Sequence, residues 1–193
     1  MRRVYLIHGW EGYPEEGWRP WLRGKLIENG FQVFVPAMPD SSKPTLEKWL
    51  TFLKDTVKDP DKETYFVGHS LGCITILRYI ESLKEIQQIG GAVLVAGFGA
   101  DLEYEGYKNE LASFFKKELN WEKVKNQGGK FVAISSDNDP WVPLKHNSLF
   151  IKKLGAEGLV MHNMLHFSGS EGFNDLPEAL DALLQISATI ENR

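Results

Sequence analysis

The chain has 193 residues, of which 42% are hydrophobic and 12% aromatic, so it can bury the core of one domain spanning residues 1–193. Its net charge is −4 and its lysines and arginines form no block, so we expect neither nucleic acid nor a membrane surface as a partner. A single cysteine and no apolar run of about 18 residues indicate a soluble protein without internal disulfides, which we expect in the cytoplasm.

Six short apolar runs, rich in β-branched and aromatic residues, predict six buried strands. Segments with helical spacing separate them, and in one of these segments Leu46, Trp49, Leu53 and Val57 share a face. The six runs are residues 4–9, 31–37, 64–70, 91–97, 130–136 and 157–163.

This alternation of strands and helices is typical of an α/β fold. We expect a mostly parallel six-stranded sheet in the order 2-1-3-4-5-6 with helices on both faces, because helical crossovers join parallel strands. The longest connection, residues 98–129, contains helical stretches of its own. It is short for an independent domain, and we expect no large lid over the sheet.

The third predicted strand ends in Gly68-His69-Ser70-Leu71-Gly72, and an amphipathic segment follows at once. A serine between two glycines at a strand-to-helix turn is typical of a nucleophile elbow, in which the serine is strained and the glycines avoid collisions. The pattern alone also occurs in ordinary turns, so its place between a strand and a helix carries the argument. The sequence therefore predicts Ser70 as a nucleophile.

A nucleophilic serine needs a histidine base and an acid that orients it, in the chain order serine, acid, histidine. His8 and His69 have local explanations at strand ends, and we expect His146 on the surface of a helix. His162 lies at the edge of the sixth predicted strand, whereas His166 lies in the loop after it, and this loop position favours His166 as the base. These two have the spacing of zinc ligands, but their segment is not helical and lacks a metalloprotease glutamate, so we expect no metal.

Two acids, Asp137 and Asp139, lie in the loop after the fifth strand. Asp139 precedes a proline, which favours an extended backbone, and it lies at the carboxyl end of a strand next to the one that leads to His166. Both acids are also common in turns, so the residues alone leave the choice open.

Backbone amides must stabilise the negative oxygen that forms when a serine attacks a carbonyl group. We expect the amides of Leu71, at the start of a helix, and Trp10, after the first strand, to form this oxyanion hole. The residues expected to line the substrate pocket are Gly9, His69, Phe98 and Trp141. The aromatic residues available to wall an apolar acyl pocket are Trp10, Trp18, Phe98, Phe114, Phe115 and Trp121.

Short motifs spread over nearly the whole chain together resemble one known family. They are HGW at 8–10, Pro36-Ala-Met-Pro39 with Pro44 and Trp49, GHSLG at 68–72, Asp139-Pro140-Trp-Val-Pro143, His166-Phe167, Glu171-Gly-Phe173 and Leu176-Pro-Glu178. This set resembles the small α/β-hydrolase serine hydrolases, the family that includes retinoblastoma-binding protein 9. The resemblance implies a compact α/β-hydrolase fold and a catalytic triad of Ser70, Asp139 and His166, so it selects Asp139 over Asp137.

The chain departs from this family pattern in one place, because Leu165 precedes the histidine where the family usually has glycine. The Leu-x-Cys-x-Glu motif for binding retinoblastoma protein is absent, since Leu71-Gly-Cys73 continues to Thr75. Binding to that protein is therefore not expected.

The sequence predicts a serine hydrolase, most simply a carboxylesterase, that cleaves a small carboxylic ester, or an amide or thioester, through an acyl-enzyme on Ser70. No cofactor is expected. One alternative is a binding protein that keeps the fold with a vestigial triad. Another is an enzyme that uses the thiol of Cys73, although Cys73 falls in the first turn of a helix where a small buried residue is expected.

Overall fold

The computed structural model describes residues 1–102 and 108–188, and the side chains of all of these except residues 108–110. Residues 103–107, inside the long connection 98–129, lie outside the described residues. Six strands form one sheet in the order β2-β1-β3-β4-β5-β6, and every neighbouring pair is parallel. The strands are β1 (Arg3–Ile7), β2 (Gln32–Phe34), β3 (Thr64–His69), β4 (Gly91–Val95), β5 (Lys130–Ser136) and β6 (Glu157–Met161).

The predicted fold class and strand order are therefore confirmed. Several strands are shorter than the apolar runs that predicted them: β1 ends at Ile7, and His8 instead bonds through its ring to the backbone amide of Met38. β2 ends at Phe34, two residues before Pro36, which has no amide hydrogen for a sheet. In both cases the run of apolar residues in the sequence extends beyond the last residue of the strand.

Seven α-helices lie in the described part of the chain, and they cover both faces of the sheet. Their ends follow local rules: the Thr45 side chain caps one N-terminus by accepting from the Lys48 amide, and Gly30, with φ of +79°, follows another C-terminus. The helices are α1 (Arg19–Glu28), α2 (Leu46–Val57), α3 (Leu71–Glu81), α4 (Lys108–Phe115), α5 (Trp121–Gln127), α6 (Lys145–Leu154) and α7 (Pro177–Ser187).

Alternate residues of each central strand point to opposite faces, so the protein has two apolar cores. In β1, Tyr5 and Ile7 face the core under α2, α3, α5 and α6, whereas Val4 and Leu6 face the core under α1 and α7. None of the helices in the described residues combines the length and the apolar character needed to span a bilayer. The carboxyl ends of β1, β3, β4, β5 and β6 meet at one edge of the sheet, where ligands of open α/β folds bind.

Candidate active site

Ser70 forms the turn between β3 and α3 and has a strained backbone. Its φ is +52° and its ψ is −118°, a conformation that L residues rarely adopt. The amide of Ser70 donates to the carbonyl oxygen of Val95 at 2.9 Å, which fixes the turn to the neighbouring strand. The side chain is half-buried, and within the described residues Ser70 Oγ makes no hydrogen bond.

The glycines on either side of Ser70 are required by close packing. A Cβ at Gly72 would lie 2.4 Å from the carbonyl oxygen of Ile7, and one at Gly68 would lie 3.0 Å from the backbone nitrogen of Cys73 in α3. A larger residue at Gly72 would therefore displace β1, and one at Gly68 would press against the backbone of α3. This is the steric role that the sequence predicts for the two glycines.

His166 lies in the loop after β6 and contacts Asp139. The Nδ1 atom of His166 is 2.9 Å from Oδ2 and 3.1 Å from Oδ1 of Asp139. The side chains are 12% and 2% exposed, respectively, so this pair is largely shielded from water. Oδ1 of Asp139 also accepts from the amides of Trp141 and Val142, at 2.8 and 3.0 Å, which fixes the direction of the carboxylate.

Asp137 binds the other histidine of this loop. Its Oδ2 is 2.5 Å from Nδ1 of His162, whose side chain is 79% exposed, and its Oδ1 accepts from the amide of Asn163 at 3.0 Å. The pKa of Asp137 is lowered from its ordinary value, mainly by the hydrogen bond from the Asn163 amide and next by the hydrogen bond with His162. This pair lies at the surface, and neither residue lines the cavity that contains Ser70.

A cavity of about 410 Å³ contains both Ser70 and His166. Its volume lies in the range typical of small-molecule sites. The four residues predicted for the pocket, Gly9, His69, Phe98 and Trp141, all line it, as do Trp10 and Leu71. The lining residues that the sequence does not predict are Glu11, Glu16, Leu102, Leu111, Val142, Ser168 and Ser170.

The predicted aromatic wall is only partly present in this cavity. Trp10 and Phe98 line it, whereas Trp18 and Phe114 are fully buried in the two cores. Phe115 and Trp121 pack against the edge of one core and do not line the cavity. Aliphatic side chains, such as Leu111, complete the apolar part of the wall.

The candidate oxyanion donors both belong to segments next to Ser70. Leu71 is the first residue of α3, and within the described residues its amide donates no hydrogen bond. Trp10 follows Gly9, and a Cβ at Gly9 would lie 3.1 Å from Cβ of Ser70, so this loop passes directly beside the serine. The indole of Trp10 donates to the carbonyl oxygen of Ser42 at 3.1 Å, which holds the loop in place. Their role as an oxyanion hole stays a prediction.

Comparison with known proteins identifies the family. The sequence profile of the serine hydrolase family matches residues 4–185. The putative hydrolase YdeN of Bacillus subtilis (strain 168) is 32% identical over 182 residues, which cover 94% of this chain and 94% of the relative. This chain belongs to the serine hydrolase family. The family resemblance inferred from the sequence is thus confirmed.

Three further similarities extend this result. Serine hydrolase RBBP9 of Rattus norvegicus is 31% identical over 170 residues, covering 87% of each chain. The crystal structure of the B. subtilis ydeN gene product superposes with a TM-score of 0.90 at 31% identity, over 96% of this chain and 98% of that chain. An esterase of Thermogutta terrifontis, 13% identical with a TM-score of 0.70 over 100% of this chain and 84% of that chain, shares the fold.

At its one departure from the family pattern, this serine hydrolase keeps the backbone conformation that glycine favours. Leu165 has φ of +45°, in the left-handed region that glycine adopts at no steric cost. Its amide donates to Oδ1 of Asn138 at 2.9 Å, and the preceding amide, of Met164, donates to Oγ of Ser136 at 2.9 Å. These two side chains were not identified from the sequence, because short polar residues after a strand are common in any turn.

Another large depression in this serine hydrolase, of about 490 Å³, lies beside β2. None of the residues that line it is a serine, cysteine or histidine, so it offers no nucleophile with a base.

His146 and Cys73 lie in the interior of this serine hydrolase. His146 is 2% exposed, so the expectation of a surface histidine was wrong: α6 turns His146, Asn147, Phe150 and Leu154 inward. Cys73 is fully buried, and burial raises the pKa of its thiol far above the ordinary value.

Proposed function

We propose that this serine hydrolase cleaves small carboxylic esters with Ser70 as nucleophile, His166 as general base and acid, and Asp139 as the residue that orients the imidazole. The observation that carries the proposal is the shielded Asp139–His166 pair, whose imidazole lines the same cavity as the strained Ser70. A carboxylate held at Nδ1 leaves Nε2 unprotonated and able to accept a proton.

The reaction proceeds in two transfers of the acyl group. Oγ of Ser70 attacks the ester carbonyl carbon while its proton passes to Nε2 of His166, and the carbonyl oxygen becomes negative. The carbon–oxygen bond to the alcohol then breaks, the alcohol takes the proton from His166, and the acyl group stays on Ser70. A water molecule repeats the sequence: it loses a proton to His166, its oxygen attacks the acyl carbon, and the acid leaves as Ser70 regains its proton.

The negative oxygen needs donors at the moment it forms. The Leu71 amide, at the N-terminus of α3, and the Trp10 amide, in the loop beside Ser70, are suited to this role by position. Because Ser70 Oγ makes no hydrogen bond within the described residues, the two reacting side chains must approach each other before the proton can pass from Ser70 to His166.

The cavity supports an apolar acyl group of modest size. Phe98, Leu102, Leu111 and Val142 are among the residues that line the cavity of about 410 Å³, and such apolar side chains stabilise an acyl chain by excluding water from it. Membership of the serine hydrolase family, with the putative hydrolase YdeN and serine hydrolase RBBP9 as relatives, favours hydrolysis over a binding function.

Hydrolysis of a series of p-nitrophenyl esters with increasing acyl chain length tests this proposal. We expect turnover by the wild type with a preference for short to medium chains, and a loss of about a thousandfold or more in Ser70→Ala. Cys73→Ala is the matched control, because Cys73 is buried outside the cavity, and it should keep its activity within a few-fold. If Ser70→Ala retained the wild-type rate, the proposal would be wrong, and loss of activity in Cys73→Ala alone would indicate a thiol enzyme.

A fluorophosphonate probe separates the enzyme from a binding protein with the same fold. The probe forms a covalent bond only with an activated serine, so it should label the wild type and not Ser70→Ala. If the wild type were neither labelled nor active on any ester, the vestigial-triad alternative would be favoured instead.

A further inference from the structure

The backbone around His166 is irregular and strained. Leu165 and Phe167, on either side of it, have φ of +45° and +57°, in the left-handed region that is unfavourable for L residues. Such a loop keeps one conformation only when the surrounding structure holds it. Part of this support comes from Glu171, whose Oε2 accepts from the amides of His166 and Ser168, at 3.0 Å each.

Two buried ring donors hold the carbonyl groups of the same segment. Nε2 of His69 is 2.8 Å from the carbonyl oxygen of His166, and Nε1 of Trp18 donates to the carbonyl oxygen of Phe167 at 2.9 Å. The two rings contact each other edge to face, with centroids 5.9 Å apart, and they are 6% and 1% exposed, respectively. Consecutive carbonyl groups of the histidine loop are therefore fixed by side chains from elsewhere in the chain.

His69 differs from Trp18 in its position, because it is the residue directly before Ser70. Its ring also packs against the ring of His166, with centroids 5.0 Å apart. A carbonyl oxygen can only accept, so Nε2 of His69 carries a hydrogen and donates it. His69 thus connects the strand that presents the nucleophile to the backbone of the base, across 97 residues of sequence.

The environment keeps His69 neutral. The pKa of His69 is lowered well below its ordinary value, mainly by burial and then by the nearby His166, Arg19 and His8. The hydrogen bond from His69 to the His166 carbonyl opposes this shift. Glu16, which lines the cavity that contains Ser70 and His166, forms an ion pair with Arg19. A neutral imidazole with one hydrogen, on Nε2, suits a fixed structural bond and adds no positive charge beside His166.

We propose that His69 is a positioning residue for catalysis, which acts by donating a hydrogen bond to the His166 carbonyl and so fixes the backbone of the base in the cavity that it shares with Ser70. This inference rests on the proposed function, since it assigns His166 as the base. Small displacements of a catalytic group are costly, and about 1 Å can reduce a rate about a hundredfold.

Replacing the donor tests the inference. His69→Phe keeps a ring of similar size but cannot donate to the His166 carbonyl. We expect kcat for p-nitrophenyl acetate to fall about tenfold to a hundredfold, with KM within about twofold of the wild type. His69→Gln keeps a side-chain N–H donor and should recover most of the lost kcat. If the two variants lost activity equally, or if KM alone changed, the hydrogen bond would not be the cause and the inference would be wrong.

A double-mutant cycle shows whether His69 acts through His166. In a His166→Ala background, adding His69→Phe should leave the residual labelling rate with a fluorophosphonate unchanged, because the group that His69 positions is gone. A further tenfold loss in the double variant would mean that His69 acts independently of the base, which would overturn the inference.

Trp18→Phe gives a second variant in case His69→Phe does not fold. It removes the donor to the Phe167 carbonyl while keeping an aromatic ring, and it should show the same fall in kcat at nearly constant KM. Labelling of the wild type but not of Ser70→Ala establishes the proposed function separately. If that labelling were seen and both ring variants kept wild-type kcat, only the positioning role would be wrong.

Discussion

Asp139 lies directly behind His166, with its Oδ2 atom 2.9 Å from Nδ1 of the imidazole and its side chain only 2% exposed. Two residues earlier, Asp137 makes a similar contact with His162, but that histidine is 79% exposed. One short loop therefore contains two Asp–His pairs, and only the shielded pair has its histidine in the cavity with Ser70.

The two pairs give a matched test of the proposed acid. In Asp139→Asn, the amide cannot hold the imidazole in the required tautomer, so we expect kcat for an activated ester to fall by about 10⁴. Asp137→Asn should change kcat by less than about tenfold, because the contact that it loses lies at the surface. Steady-state kinetics of both variants, with circular dichroism to verify folding, measures the difference. A larger loss in Asp137→Asn would contradict the assignment of Asp139.

The close approach at the elbow predicts a sharp difference between two Gly→Ala variants. Gly72→Ala places a methyl group 2.4 Å from the carbonyl oxygen of Ile7, so we expect about 1–3 kcal/mol of destabilisation together with loss of activity. Gly24, inside α1, has no atom within 4 Å of the same added group. Gly24→Ala should therefore stabilise the protein by about 0.5–1 kcal/mol.

Urea unfolding of both variants measures these changes in the free energy of unfolding. Equal stabilities for Gly72→Ala and the wild type would show that the turn can relax, and the steric account of the elbow would then be wrong.

Much of this arrangement could be predicted from the sequence, because its signals are local. Runs of β-branched residues predicted the six strands, and the glycines around Ser70 predicted the turn. The choice between Asp137 and Asp139 could not be made from the residues alone, since both favour turns and only the direction of each carboxylate distinguishes them. The contacts of His69 and Trp18 with the histidine loop were also inaccessible, because they join residues about 100 to 150 positions apart.

The hydrogen bond between buried His8 and the Met38 amide predicts a dependence of stability on pH. Nε2 of His8 accepts from the amide of Met38 at 3.0 Å, so a proton on Nε2 would break this bond. Burial is the main cause that lowers the pKa of His8 below its ordinary value. The unfolded chain therefore binds a proton near pH 6.5 that the folded chain does not, and stability falls as the pH decreases below about 6.5, by up to about 1.4 kcal/mol per pH unit.

The free energy of unfolding, measured in urea between about pH 5.5 and about pH 7.5, tests this dependence. His8→Gln keeps an acceptor for the Met38 amide but does not titrate, so its stability should change less with pH than that of the wild type. His69, whose pKa is lowered as well, contributes a similar slope in both proteins. Identical slopes for the two proteins would contradict the account of His8.

The left-handed conformation of Leu165 predicts that the family's usual glycine is tolerated here. Leu165→Gly removes strain of about 1–2 kcal/mol but adds about 0.5–1 kcal/mol of chain entropy to the unfolded state. We therefore expect equal or slightly higher stability with activity retained, whereas Leu165→Val, with a branched Cβ, should be less stable than the wild type. Thermal unfolding of the three proteins gives the order, and equal stability of Leu165→Val and Leu165→Gly would show that φ at this position is not constrained.

The most direct test of the central claim is to locate the covalent adduct after reaction with a fluorophosphonate. Peptide mass spectrometry of the treated wild-type protein should place the adduct on Ser70, and intact-mass analysis should show one adduct per chain. Ser70→Ala should remain unmodified, and Asp139→Asn should react far more slowly than the wild type. An adduct on another residue, or unchanged labelling of Ser70→Ala, would contradict the assignment of Ser70 as the nucleophile.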